Sequence, residues 1–380
     1  MEKIKIGDVC DILNGYAFKS ENYVDSGIRI IRISNVQKGY IEDSTPAFYS
    51  FDTMGLSKFM LEEGDLLMSL TGNVGRVAIL EKELLPAALN QRVACLRLKS
   101  NKITKSYLFH FLNSNFFEQQ CIMASNGVAQ KNMSTEWLKD YEIPLYTPNQ
   151  QEEIVTVLNA AQSILSSRRQ QLQKLDELIK ARFVELFGDL ESNPFDWPVC
   201  ALKELVSIEP QNGLYKPQSA YVQDGSGFPI VRIDAFYNGR VTDFSALKRL
   251  ECSESEVQRY LLQEDDIVIN RVNSIEYLGK CAHIKGLLEE TVFESNMMRL
   301  HLDDTVMNAV FATKLLCSQY MHKQIMIRAK KAVNQASINQ QDVLSFRMFV
   351  PPLELQEQFA AFVEQTDKSK VVVQDEVNGL

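Results

Sequence analysis

Two blocks of short apolar runs flank one long stretch in which leucine or isoleucine returns every seven residues. In the first block IRIIRIS (28–34), DLLMSL (65–70) and VACLRLK (93–99) predict strands; in the second, PIVRID (229–234), DIVINR (266–271) and MMRLHL (297–302) do the same. Each block opens with a short helix-like segment and an Asn-Gly turn. Each continues past its strands into a helical stretch (103–122 and 305–326), a Gly/Ala/Ser/Asn-containing loop and an apolar exit strand, YEIPLY and FRMFVP. Strands mixed with one late helix predict an α+β domain on a curved, largely antiparallel sheet.

The stretch between the blocks reads as one helix. Thr147-Pro148-Asn149-Gln150 offers a capping hydroxyl, a proline at the first helical position and a glutamine for a capping box, and Gly188 is a natural stop. Leu158, Leu165, Leu172, Ile179 and Leu186 form one seam, with Ala161, Arg168, Leu175 and Arg182 three positions on. From Asn149 to Phe187 the helix would span ~58 Å at ~1.5 Å per residue. A strict period of seven calls for a supercoiled partner. That partner is expected after Pro351-Pro352, where ELQEQFAAFVEQ echoes QQEEIVTVLNAA and Gln356 answers Gln151. Phe359 and Val363 begin its seam, but Thr366 and Lys370 make a poor heptad, and the second helix is expected to be about half the length of the first.

The two blocks are diverged copies of one domain. GIRIIRISNV (27–36) matches GFPIVRIDAF (227–236), and LEEGDLLMSL (61–70) matches LQEDDIVINR (262–271). Asn14-Gly15 answers Asn212-Gly213, Gly75 answers Gly279, and residues 96–98 answer 300–302, all in the same order. The reading is a first domain over 1–147, a spacer helix over 148–190, a second copy of the domain over 191–350 and a short second helix over 351–380. The two helices would lie antiparallel as a coiled coil, with the domains at its ends about a pseudo-two-fold axis. Two similar but unequal surfaces suit a bipartite target.

Composition removes several classes. No stretch of about 20 apolar residues is present, so no membrane span is expected. Seven scattered cysteines without a C-x-x-C pair fit reduced thiols in a cytoplasm, and four histidines without companion ligands give no metal site. Asn193-Pro194-Phe195-Asp196 resembles an amino-methyltransferase loop only in part, and no glycine-rich cofactor loop or catalytic constellation accompanies it. The chain is therefore expected not to be an enzyme. A net charge of −9 sits badly with a free-standing nucleic-acid binder: either nucleic acid is not the ligand, or much of the phosphate neutralisation comes from a partner protein.

The chain resembles the specificity subunits of type I restriction–modification systems. The resemblance is carried by the two exit-and-helix motifs IPLYTPNQQEEIV and FVPPLELQEQFA, the helix end LDELIKARFVELFGD and the re-entry phrase SNPFDWPVCALKELV. It implies that each domain reads one half of a split double-stranded DNA site and that the paired helices act as spacer and dock for methyltransferase subunits, two of them, with restriction/motor subunits joining. S-adenosylmethionine and ATP with Mg would then reside in those partners, none being bound by this chain. The short tail VVVQDEVNGL departs from the pattern and puts docking on that side in question. A coiled-coil scaffold presenting two protein-interaction domains is the alternative, and an enzyme with its own cofactor a second.

Candidate DNA contacts lie in loops that end strands, where polar side chains can reach a groove. The first copy offers Asn14, Tyr16 and Lys19; Thr71, Asn73 and Arg76, with glycines for close backbone approach; and Gln130, Lys131 and Asn132. The second offers Asn212, Tyr215 and Lys216; Asn270, Arg271, Asn273, Ser274 and Lys280; and Lys330, Lys331, Asn334 and Gln335. Arginine and lysine suit guanine's N7/O6 edge, asparagine and glutamine adenine's N6/N7 edge. Arg32 and Arg232 sit within strands, where pairing with a carboxylate competes with DNA contact.

Overall fold

The computed structural model describes residues 2–52, 55–125, 132–333 and 335–379. The chain divides into two units, Met1–Ser166 and Ser167–Leu380. In the first, strands Cys10–Asn14, Val93–Leu98, Leu66–Ser69 and Val77–Ile79 form an antiparallel sheet in that order. A smaller sheet runs Phe48–Tyr49, Ile28–Ile31, Ala87–Leu89, its last pair parallel. Leu66, Met68, Ala94 and Leu96 face helical residues Leu108, Leu112, Phe117 and Cys121, while Leu67, Ala78 and Cys95 face Ile31 and Leu89. Both faces of the central strands are thus buried, which is why their sequences are nearly continuous apolar runs. Each of the leucine, isoleucine, methionine and phenylalanine side chains contributes ~1.5–3 kcal/mol.

The second unit repeats the plan with more strands. Its six-stranded sheet runs Val206–Asn212, Met297–Leu302, Ile267–Asn270, Cys281–His283, Gly239–Val241, Phe236–Tyr237. A four-stranded sheet contains the parallel pair Phe228–Val231 and Val292–Phe293. Both sheets are mixed rather than purely antiparallel. Each expected long helix is in fact two, Lys105–Leu112 with Asn115–Ala124, and Ala309–Leu316 with Gln319–Arg328. The breaks are chemical: Ser114 and Ser318 cap the second helix of each pair, accepting from Phe117 N and Met321 N.

Matching buried carboxylates anchor the turn before the central strand. Asp65 accepts from Glu62 N at 2.8 Å and from Arg97 Nη2 at 2.6 Å; Asp266 accepts from Gln263 N at 2.7 Å and lies 2.8 Å from His301 Nδ1. Burial pushes the Asp266 carboxyl above its ordinary value, opposed by those hydrogen bonds and by Arg299. The Asn-Gly pairs are not turns. A β-carbon at Gly15 would stand 2.2 Å from the Asn90 carbonyl, and one at Gly213 2.3 Å from the Glu294 oxygen, so glycine is there to let two backbones meet.

The spacer helix runs Pro148–Phe187, one residue longer than expected. Thr147 N donates to Gln150 Oε1 at 3.1 Å and Gln150 N to Thr147 Oγ1 at 3.4 Å, closing the capping box. Past the helix, Gly188 takes a φ of 77°, and Trp197 Nε1 donates to the Phe187 carbonyl at 3.0 Å. Asn193 donates to Trp197 O and accepts from Trp197 N, so the Asn-Pro-Phe-Asp segment is a turn that closes the helix end.

The last helix is Leu353–Asn378, 26 residues against 40 in the spacer, and so longer than half. Gln356, Phe359, Val363, Thr366, Lys370 and Val373 are all buried at alternating spacings of three and four, so the seam is regular although three of its members are polar. It packs antiparallel on the spacer's second half. Phe359 meets Phe183 and Phe187, Lys370 Nζ pairs with Asp176 at 2.7 Å, and Glu376 pairs with Arg168 at 2.8 Å. Arg182 lies over the Phe362 ring, and Ile179 is buried, with Leu172, Leu175 and Leu186 half-buried. In the first unit Leu165 is half-buried and Leu158 remains 41% exposed.

Two glutamines tie these helices to their own units in the same way. Gln151 is fully buried, donates from Nε2 to the Lys102 and Tyr146 carbonyls and accepts Thr104 N at 2.7 Å. Gln356, also fully buried, donates to the Val306 and Pro351 carbonyls and accepts Asn308 N at 2.9 Å. Thr104 and Asn308 are the N-caps of the two equivalent helices.

Candidate nucleic-acid interface

Backbone bonds lace the strand-end loops of each unit into one cluster. In the first unit Tyr16 bridges Asn90, Gln91 N donates to Tyr16 O at 2.9 Å, and Leu70 N donates to Arg92 O at 3.0 Å. Thr71 bridges Asn132, with Met133 N donating to Leu70 O at 2.9 Å. The second unit repeats this: Ser295 N donates to Leu214 O at 3.0 Å, Arg271 N to Asn296 O at 2.9 Å, and Ile338 N to Arg271 O at 3.0 Å. There Val272–Asn273, Ala336–Ser337 and Lys330–Lys331 form a three-stranded ribbon. The three loop groups expected from sequence therefore converge in each unit. A fourth segment, the turn at 90–92 and 294–296, joins them and was not anticipated.

The candidates differ in what their side chains are doing. Asn14, Asn73, Asn132 and Asn212 are exposed, Tyr16 and Tyr215 are 44% and 78% exposed, and Lys330, Lys331 and Gln335 are exposed. Others are already engaged. Arg76 donates to Gln37 Oε1, Arg271 Nε donates to Ser295 O at 3.1 Å, and Lys216 pairs with Glu256 at 2.8 Å. Lys280 Nζ sits 3.9 Å from the Tyr237 ring centre, and burial lowers its pKa. Lys19 stands 3.7 Å from Glu21; Asn273 accepts Ser274 N, and the Ser274 hydroxyl reaches Glu276 at 3.5 Å. The Thr71 hydroxyl oxygen is buried without a partner among the described residues.

One candidate is corrected outright. Asn270 is fully buried at the end of a central strand, out of reach of a duplex surface. The glycine argument at 70–77 also changes, because Gly75 leaves room for Cys121 rather than for phosphate: a β-carbon there would lie 2.9 Å from the Cys121 β-carbon. Arg232 is held by carboxylates, Asp234 at 3.6 Å and Glu294 at 3.9 Å, and lies over Tyr221. Gln130, Lys131 and Asn334 lie outside the described residues.

Among the described residues no cluster of His, Cys, Asp and Glu could hold a metal ion, and no helix is long and apolar enough to cross a membrane. All seven cysteines are free thiols.

The profile of the family described as "Type I restriction modification DNA specificity domain" matches residues 1–177 and again 194–376. The chain belongs to this family. It is 23% identical to the type I restriction enzyme EcoKI specificity subunit of Escherichia coli K12, over 98% of this chain and 83% of that one. It is 22% identical to the StySPI specificity subunit of Salmonella potsdam over the same shares. The fold matches the crystal structure of a type I restriction–modification S subunit from M. genitalium, with a TM-score of 0.57 at 17% identity, covering 100% of this chain and 92% of that one. The double family match falls on the two copies read from the sequence.

Proposed function

We propose that this chain is the DNA-specificity subunit of a type I restriction–modification enzyme, reading a bipartite double-stranded site with one half assigned to each unit. The observation that carries the reading is the repeated loop cluster: one backbone lacing in both units, furnished with different exposed side chains. Two similar frames with unequal polar sets are what two unequal half-sites require. Family membership favours this over a scaffold for protein-binding domains.

The chain itself is non-catalytic in this reading. It assembles in the cytoplasm with two methyltransferase subunits, which bring S-adenosylmethionine, and with restriction/motor subunits that use ATP and Mg. These partners close around the duplex and offset the net charge of −9. The purified chain, incubated with labelled S-adenosylmethionine and DNA, should transfer no methyl group, and adding the methyltransferase subunits should restore sequence-specific transfer whose DNA affinity falls steeply with salt. Robust transfer by the chain alone would contradict the assignment.

A further inference from the structure

We infer that the turn Asn90-Gln91-Arg92 is a base-reading element of the first unit, with Arg92 taking the N7/O6 edge of a guanine and setting one position of that half-site. The inference rests on the DNA-recognition reading and deepens it at residues outside the loops that composition singled out.

The turn is fixed before any ligand arrives. Asn90 N donates to Ile31 O at 3.2 Å, Gln91 N to Tyr16 O at 2.9 Å, Val93 N to Asn90 O at 2.9 Å, and Leu70 N to Arg92 O at 3.0 Å. These bonds tie it to three neighbouring segments, two of which belong to the loop cluster. A side chain carried on such a frame reaches a base without the cost of ordering a loop.

Asn90 Oδ1 accepts Arg92 N at 3.4 Å, which leaves the other two side chains of the turn to face outward. Gln91 and Arg92 are exposed. Of the five arginines in the first unit, Arg29 pairs with Asp43, Arg32 donates to Thr45 O, Arg76 to Gln37, and Arg97 to Asp65. The Arg92 guanidinium has no hydrogen-bond or ion-pair partner among the described residues, so no internal pair has to break when it binds. The planar fork of arginine matches the two acceptors of guanine in the major groove, a match that the point charge of lysine lacks.

The corresponding turn of the second unit has the same backbone anchors but different chemistry. Glu294 lies beside Arg232, and Asn296 Nδ2 donates to Glu294 Oε1 at 3.3 Å. None of the turn's own residues, Glu294, Ser295 and Asn296, carries a cation, and the neighbouring Arg232 and Arg271 are engaged with Glu294 and the Ser295 carbonyl. The exposed cations of that cluster are Lys330 and Lys331 instead. The turn thus distinguishes the two units.

The test uses the full chain assembled with its methyltransferase subunits, comparing wild type, Arg92→Ala and Arg92→Lys. Methylated-motif sequencing is combined with binding to duplexes altered at each position and measured across a range of salt. Arg92→Ala should bind the cognate duplex ~5–150-fold less tightly. It should also relax a single guanine position in one half-site and leave the other half unchanged. Arg92→Lys should relax the same position while keeping the salt slope. Retained discrimination in Arg92→Ala would overturn the assignment. So would equal weakening on all duplexes with a shallower salt slope, which marks a phosphate contact. A wild-type assembly with no sequence preference would instead overturn the DNA-recognition reading itself, and this assignment with it.

Discussion

Replacing Gln356 or Gln151 should loosen one unit and leave the other intact. Each side chain makes three hydrogen bonds to backbone groups and is fully buried. At a net ~1 kcal/mol per bond, Gln356→Ala should cost about 3 kcal/mol. The first turn of helix Ala309–Leu316 is exposed most directly, because Asn308 N loses its acceptor. Two linked units need not unfold in one step, so amide hydrogen exchange resolved by segment is the suitable assay. Exchange in Ala309–Leu316 should quicken roughly 100-fold in Gln356→Ala, and that in Lys105–Leu112 by a similar factor in Gln151→Ala, each without effect on the other unit. Gln356→Glu is the sharper variant. A carboxylate has no N–H for the Val306 and Pro351 carbonyls, and burial raises its folded-state pKa above the ordinary ~4.3. Its destabilisation is therefore full above that raised pKa and is relieved as pH falls through it. Exchange that changes less than ~2-fold in both alanine variants would refute the view that these glutamines fasten helix to domain.

Two further perturbations address the helices. Lys370→Ala leaves Asp176 and Asp367 facing one another across the seam and should cost about 1–3 kcal/mol in thermal or denaturant unfolding. Lys370→Met should hold stability but weaken the choice of register, since a slide of one heptad sets Lys370 against Arg169 or Phe183 instead of Asp176; spin-label distances between the two helices should then show more than one population. Inserting one heptad after Gln171 adds ~10.5 Å of helix and, at ~3.4 Å per base pair, should lengthen the unread gap by about three base pairs. An active enzyme with an unaltered gap would show that the spacer helix does not set the spacing.

The fold was legible where periodicity is local. Strands and the spacer helix with its Thr147 cap and Gly188 stop depend on neighbouring residues, the internal repeat shows as two such local patterns in the same order, and each stands in the structure where the pattern put it. The split of each late helix was also within reach, because Ser114 and Ser318 are ordinary capping residues inside runs that otherwise read as unbroken. The terminal seam was harder. Thr366 and Lys370 break the hydrophobic pattern; Asp367, one turn away, gives the buried lysine a local partner, but Asp176, nearly two hundred residues away, is the one that places it in the seam. Site residues were least legible. Arg76, Lys216, Arg271 and Lys280 look identical in sequence to free cations, and what distinguishes them is an internal partner distant along the chain, such as Glu256 for Lys216. Arg92 was overlooked for the converse reason. It is three residues from the end of a strand and one before the next, and nothing in its immediate neighbourhood says that it lacks a partner.

Exchanging residues 198–350 for the matching segment of another family member, in cells that express the methyltransferase subunits, tests the central claim most directly. Methylome sequencing should return a bipartite motif for the parent chain and a motif altered in one half only for the exchanged chain, with the first half preserved. A single continuous motif, or a change in both halves at once, would contradict the assignment of one half-site to each unit.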